Sequence, residues 1–192
     1  MPLTQPAVPI KRLSRFDRPA IGAHFLSLTG EDRRLRFGGG FSDSAIGAYV
    51  DAIDFARDTL FGAVDHELQI IGVAHLACSA GHAELGISVL TGHRSRGIGA
   101  ALLRRAHISA RNQGAAALFM HCLAENSHMR SLAYKERMEV VVESGEADAW
   151  LKLPPPDAFT YLSATLYEFM AHLDYGMKCQ NAGMRRLGAS PG

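Results

Sequence analysis

The spacing of apolar and polar residues changes several times along the 192-residue chain, and each change marks an element. Residues 10–16 alternate apolar with basic side chains, the two-residue repeat of an edge strand. Asp17 suits the cap of a helix reaching residue 28, and Thr29-Gly30-Glu31-Asp32 that of a second through Phe37. After a flexible break at Gly38-Gly39-Gly40, Ser42-Asp43-Ser44 opens a third helix to about Ile53, with Ile46, Tyr49, Val50 and Ile53 on one face. Short apolar runs at 59–64, 68–77 and 83–90, with turns at 65–67 and 79–81, predict an antiparallel meander. A long helix follows, running to Gln113 before Gly114. Then come a buried strand at 116–123, a helix at 127–136 and a hairpin of 138–144 with 146–153 around Gly145.

Pro154-Pro155-Pro156 closes this unit. Beyond it Phe159, Leu162, Leu166, Phe169 and Leu173 fall on one helical stripe. An added helix of this kind packs on its own domain more often than on a partner, and a homodimer through the stripe is the alternative. The expected organisation is a loose arm at 1–9 carrying Pro2, Pro6 and Pro9, a domain at 10–153 and a helical extension at 154–192. No internal repeat is visible.

Composition narrows the class without naming a function. The chain is 47% hydrophobic and 20% charged, with a net charge of +1. That balance argues against nucleic-acid binding, which shows as a strong basic excess. Cys78, Cys122 and Cys179 are odd in number and far apart, as expected of reduced thiols rather than a disulfide framework. No apolar run approaches the ~18 residues needed to cross a bilayer, so no membrane partner is expected. The first residues lack the basic start and apolar core of a secretion signal, which makes the cytoplasm the default compartment. The nine histidines show no metal-ligand spacing, and no metal is expected.

The most informative segment is Arg94-Ser95-Arg96-Gly97-Ile98-Gly99-Ala100, between a strand-like run and a helical one. The first N–H groups of a helix lack intrahelical partners and sit at the positive end of its dipole, which makes a natural anion site. Gly97 and Gly99 carry no side chain to hold a phosphate off those amides. Between Leu85 and Ala124 there is no Asp or Glu, yet there are Arg94, Arg96, Arg104, Arg105 and Arg111, a field that favours a polyphosphate. A helix that merely begins with glycines and shows a solvated basic face is the plainer reading. The spacing is one glycine short of a dinucleotide fingerprint, and no Lys-Ser/Thr follows as in a P-loop.

Arg-x-x-Gly-x-Gly between a strand and a long helix resembles the coenzyme A pyrophosphate loop of the GNAT N-acetyltransferase family, and the order and spacing of elements over residues 10–153 are similar to that family's fold. The resemblance implies an α/β (α+β) architecture: a mixed, mostly antiparallel central sheet flanked by helices, here with an added C-terminal helix. It implies acetyl-CoA as cosubstrate, an amine acceptor, and direct attack in a ternary complex. Pantetheine would pair with the exposed strand edge near Ile87, Val89 and Leu90.

Glu84 is the candidate general base. It is the acid on an otherwise apolar strand, where an acid must be paired, hydrated or functional, and partial burial would raise its pKa toward neutrality. A salt bridge to a nearby Arg, or an outward-facing residue, is the alternative. The stretch from Ser27 to Asp54, with Ala83-Glu84 and Asn126-x-x-Met129, resembles the acetyltransferase domain of bacterial protein-lysine acetyltransferases, a subgroup that uses a glutamate on this strand as base. Asn126 is placed by the resemblance near the pantetheine or ADP end, and is equally an ordinary helix cap.

The family's acid tyrosine falls at Ala133, with Tyr134 one position on and about 100° around the helix; Tyr134 is the candidate acid, with a packing role as the alternative. The family's glycine before Met138 is Arg137 here, so a left-handed turn would cost roughly 1 kcal/mol. Acidic stretches at 51–67 and 136–148 suit a cationic acceptor. The acceptor itself is open between a protein lysine and a small-molecule amine, and a silent CoA-binding sensor or scaffold is the non-enzymatic alternative.

Overall fold

A computed structural model describes residues 8–79 and 81–188. The strands are β1 (Ile10–Leu13), β2 (Asp58–Val64), β3 (Ile70–Ser79), β4 (His82–Val89), β5 (Ala117–Leu123), β6 (Glu139–Glu143) and β7 (Glu146–Lys152). The helices are α1 (Arg18–Leu26), α2 (Gly30–Phe37), α3 (Asp43–Asp51), α4 (Ile98–Asn112), α5 (Ser127–Lys135) and α6 (Ala158–Gly188). The strands form one seven-stranded sheet in the order β1-β2-β3-β4-β5-β7-β6. Every neighbouring pair is antiparallel except β4 with β5. This is the mixed, mostly antiparallel sheet with flanking helices and a C-terminal helix that the sequence predicts.

Two cores lie on the two faces. On one, Ala83, Leu85 and Ile87 of β4 meet Ile98, Leu102 and Ala106 of α4. On the other, Leu60 and Val73 meet Ile21 and Phe25 of α1 and Ile46 and Val50 of α3. Side chains alternate along a strand, so Glu84, Gly86 and Ser88 project to the α1–α3 face.

Boundaries shift where local hydrogen bonds compete with the apolar pattern. The first strand stops at Leu13 because the Asp17 carboxylate accepts from Ser14 N–H at 2.8 Å while Ser14 Oγ accepts from Phe16 N–H, closing a capping box over a short 3₁₀ turn. β3 begins at Ile70 rather than 68, since Leu68 has φ 65° in a turn wrapped around Asp65. Arg137 does take the left-handed conformation, φ 59°. The final hairpin turns on Ser144 and Gly145 at φ 52° and 87°, the pair of positive φ values that a tight two-residue turn needs. Of the expected arm, residues 1–7 lie outside the described residues, and Val8 already packs against the α4-side core. Ala80 of the predicted 79–81 turn and the last four residues also lie outside them.

α6 packs against α4 and β1, but with the opposite face to the one its apolar stripe suggests. Its inward side holds Thr160 and Ala171, both 3% exposed, and Glu168, which is ion-paired to the buried Arg105. The stripe points outward: Phe159 is 75% exposed, Leu162 68% and Leu166 59%. Tyr167, which lies against Arg105, and Tyr175, against Lys11, share the inward side. Among the described residues no helix is long and apolar enough to cross a membrane, and no group of three or more His, Cys, Asp and Glu could hold a metal.

Candidate active site

β4 and β5 pair only from His82↔Ala117 to Glu84↔Phe119, although β4 continues to Val89 and β5 to Leu123. Beyond Glu84 the strands part, and a cleft opens between them. Leu90 N–H bonds Ile71 C=O at 2.9 Å, so the even-numbered backbone groups of β4 face β3. Antiparallel alternation then turns those of Ile87 and Val89 toward the cleft, where no strand meets them. Leu90 is therefore not an open edge; its carbonyl is also taken, by His93 N–H. The Val89 carbonyl accepts from Arg94 Nε at 3.1 Å.

The cleft runs from this edge to the start of α4, lined there by Ser95, Gly97, Gly99 and Ala100. Gly97 caps α4 at φ 78°, and Ser95 also has positive φ, 60°. That double reversal turns the first amides of α4 toward the cleft. The Ile98 side chain is 4% exposed and belongs to the core, so only its backbone is available.

The basic field inferred for this loop is mostly neutralised by acids from elsewhere in the chain. Arg94 Nη2 lies 2.6 Å from Asp32 Oδ1. Arg105 holds Glu168 of α6, and Arg111 bonds the Pro154 and Pro155 carbonyls and Asp157. Arg104 reaches Glu136 only at 3.9 Å. Arg96 stands exposed and makes no ion pair among the described residues. Asp32 carries a role its position as a helix-start acid concealed. It also accepts from Thr91 Oγ1 at 3.0 Å, pinning α2 to the loop before Arg94. Burial would raise its pKa, but the hydrogen bonds from Arg94, Thr29 and Thr91 outweigh burial and lower it.

Glu84 sits where the strands diverge, beside Phe119 and Trp150. It is exposed, so the expected burial is absent, and it forms neither hydrogen bond nor ion pair among the described residues. Asn126 lines the cleft, 7% exposed, while its Oδ1 caps α5 by accepting from Met129 N–H at 3.1 Å; both readings of this residue are compatible with its place. Tyr134 is not brought to the others. It is 58% exposed among Ser127, Arg130 and Lys135, on the outer side of α5, while Ala133 turns into the core at 1%.

Two residues behind β4, one buried and one half-buried, went unnoticed in the sequence. His24 is 2% exposed; its Nδ1–H donates to Ile70 C=O at 2.9 Å and its Nε2 accepts from Ser88 Oγ at 2.8 Å. Burial lowers its pKa to about 4 against the pull of the Ile70 bond, with nearby Arg36 adding to the depression. Arg36 itself lies over Gly86 and lines the cleft. Periodicity marks such residues only as helical, and the tertiary contact supplies the signal.

The profile of the acetyltransferase (GNAT) family matches residues 31–137. The GNAT domain of PAT from S. lividans superposes with TM-score 0.65 at 18% identity, over 75% of this chain and 89% of that one. A GCN5-related N-acetyltransferase from Kribbella flavida gives 0.62 at 18%, over 77% and 98%. PaiA N-acetyltransferase from Thermoplasma acidophilum, in complex with coenzyme A, gives 0.57 at 19%, over 74% and 97%. No curated protein matches the sequence.

Proposed function

From the chain's membership of the GNAT acetyltransferase family, we propose that it transfers the acetyl group of acetyl-CoA to an amine, by direct attack within a ternary complex. The observation that carries this reading is the order along β4 of the α4 amides, the Val89 N–H and Ile87 backbone turned to the cleft, and Glu84 where the strands part. The α4 start would take the pyrophosphate and the β4 edge the pantetheine amides, leaving the thioester beside Glu84. These groups fit the cosubstrate in chemistry and order, and the Thermoplasma relative in complex with coenzyme A supports the assignment.

Glu84 takes the proton of the incoming ammonium, directly or through one water, and the freed nitrogen attacks the thioester carbonyl. A backbone N–H of the open edge stabilises the oxyanion. The C–S bond breaks, the nitrogen gives its second proton to solvent, and the thiolate takes one from solvent, since Tyr134 lies outside the cleft. A protein lysine is the acceptor favoured by the likeness to the S. lividans PAT domain; a small-molecule amine that also carries a carboxylate is the second reading, favoured by Arg36 in the lining of the cleft. The test is CoA release from acetyl-CoA against a panel of amines and lysine peptides. Turnover with any amine excludes a silent CoA binder; tight CoA binding with no turnover on any acceptor overturns the enzymatic assignment.

The outward stripe of α6 is assigned to a second copy of the chain, packed antiparallel about a two-fold axis. Its half-exposed Phe159, Leu162, Leu166, Phe169, Met170, Leu173 and Met177 exceed what a monomer usually leaves in one patch. Such a face supplies the apolar centre around which an interface of ~800 Å² per partner is built. None is charged, so like meets like without repulsion. Sedimentation velocity should show a dimer that Leu166→Glu with Phe169→Glu dissociates. A wild-type monomer at all concentrations, or one that floats with anionic vesicles, refutes the assignment.

A further inference from the structure

Arg36 reaches from α2 to the point on β4 just before the open edge. A Cβ built on Gly86 would lie 2.2 Å from Arg36 Nη2 and 2.3 Å from Cζ. The guanidinium thus occupies the space that any other residue at 86 would fill. Its Cζ lies 4.9 Å from the Phe37 ring centre and 5.9 Å from those of Phe25 and Tyr49, an aromatic cage that fixes a cation by its ring faces. Nη2 donates to Tyr49 Oη at 3.2 Å. Tyr49 in turn donates to His75 Nδ1 at 2.6 Å, and His75 Nε2 faces Asp58 Oδ2 at 3.1 Å. That relay fixes the position of Arg36 without neutralising it, because the group Arg36 contacts is the Tyr49 hydroxyl and not a carboxylate; burial holds the His75 pKa below its ordinary value despite Asp58.

Arg36 therefore carries a full charge with no acid partner among the described residues, and its Nε is buried with no hydrogen-bond partner. A partly buried guanidinium is normally matched by a carboxylate or phosphate. Its neighbour at the other end of the cleft shows the contrast: Arg94 is matched by Asp32. The position decides what matches Arg36. It lines the same cleft as Ile87 and Val89, at the end remote from the α4 amides that would hold the pyrophosphate. Gly86 and Glu84 share one face of β4, two residues or about 7 Å apart.

We propose that Arg36 is a carboxylate-binding residue at the acyl end of the cleft, reading a carboxylate carried either by the donor's acyl chain or by an amino-acid acceptor. This rests on the acyltransferase assignment and names its substrate class. A dicarboxylic acyl chain would extend from the thioester past Gly86 onto the guanidinium. A short amino acid would place its amine at Glu84 and its carboxylate at Arg36. In both cases the planar fork supplies paired donors that Lys does not reproduce.

The donor arm compares succinyl-CoA with butyryl-CoA, whose chains match in length and differ in the terminal carboxylate, by calorimetry without an amine. The acceptor arm compares acetyl transfer to β-alanine and to its amide. We expect one arm to favour the carboxylate by at least tenfold. Arg36→Gln should collapse that ratio, Arg36→Lys should retain part of it, and Gly86→Ala, which displaces the guanidinium while leaving its charge, should behave like Arg36→Gln. Because each readout is a ratio between ligands of matched length, a general loss of CoA affinity leaves it unchanged, and Gly86→Ala, which keeps the arginine at 36, repeats the test should Arg36→Gln not fold. A wild-type protein that acylates amines but prefers the carboxylate in neither arm, or a preference that survives Arg36→Gln, overturns the subsite alone. A protein that binds no acyl-CoA overturns the acyltransferase assignment with it.

Discussion

Acid should destabilise this protein through His24 from a pH above the range in which the carboxylates titrate. The native imidazole is 2% exposed and resists its proton until about pH 4, while in the unfolded chain it titrates near 6.5. Above pH 6.5 both states hold it neutral, and it adds no pH dependence. Below 6.5 the unfolded state binds a proton that the native state refuses, so stability falls as pH drops, and the loss is complete near pH 4. A gap from 6.5 to about 4 amounts to about 3 kcal/mol at 1.36 per pH unit. That is a large part of the 5–15 kcal/mol that holds a typical domain together. For a chain of this length it means a drop in Tm of roughly 6–12 °C. The protonated ring also loses the lone pair that accepts from Ser88 Oγ, so the damage is centred under the open edge of β4. The assay is thermal unfolding at pH 7.5, 6.5, 5.5 and 4.5 for wild type and His24→Gln. The variant should melt lower at pH 7.5 and lose much less between 6.5 and 4.5; His75 and His107, also depressed by burial, leave a residual slope. Two curves that run parallel through this window would refute the argument.

Three further perturbations test the site and the frame around it. Glu84→Gln should slow acyl transfer by ~10²–10⁴ and remove the acidic limb of its pH profile with acetyl-CoA affinity held within a few-fold, while Tyr134→Phe should cost little; the reverse ranking would place the chemistry on α5. At Gly99 an added Cβ meets nothing nearer than Leu132 Cδ2 at 3.6 Å, and an acid suits the first turn of a helix. Gly99→Glu should therefore keep the fold by circular dichroism and lose CoA binding in calorimetry, so unchanged affinity would remove the phosphate site from α4. Arg137, held at φ 59°, should gain about 1 kcal/mol in urea unfolding when changed to Gly, and destabilisation would mean that its side chain outweighs its backbone strain.

Local signals carried the sequence reading a long way. Period and caps located most elements to within one or two residues, because Thr29, Ser42 and Asn126 bond the same amides in the fold that their positions imply. Gly97 marked the α4 start through its backbone instead, at φ 78°. What escaped was decided by partners far away in the chain. The arginine cluster read as one basic field until Asp32, Asp157 and Glu168 arrived from three other elements. The α6 stripe read as a core face because period alone does not tell inside from outside. His24 and Arg36 are ordinary helical residues in sequence and become notable only where β4 passes beneath them.

The parting of β4 from β5 leaves a gap in the middle of a sheet rather than at its rim. A peripheral edge can be guarded with charge or twist; an internal one is completed by whatever extended amide chain lies along it. On the proposed reading the missing rung is supplied by a metabolite, so the folded state is finished only when that metabolite is abundant. At a hundredfold excess over Kd, such completion adds about 2.7 kcal/mol to stability. The lifetime of the protein would then rise and fall with the supply of its own cosubstrate, making abundance a record of metabolic state before any acceptor is touched.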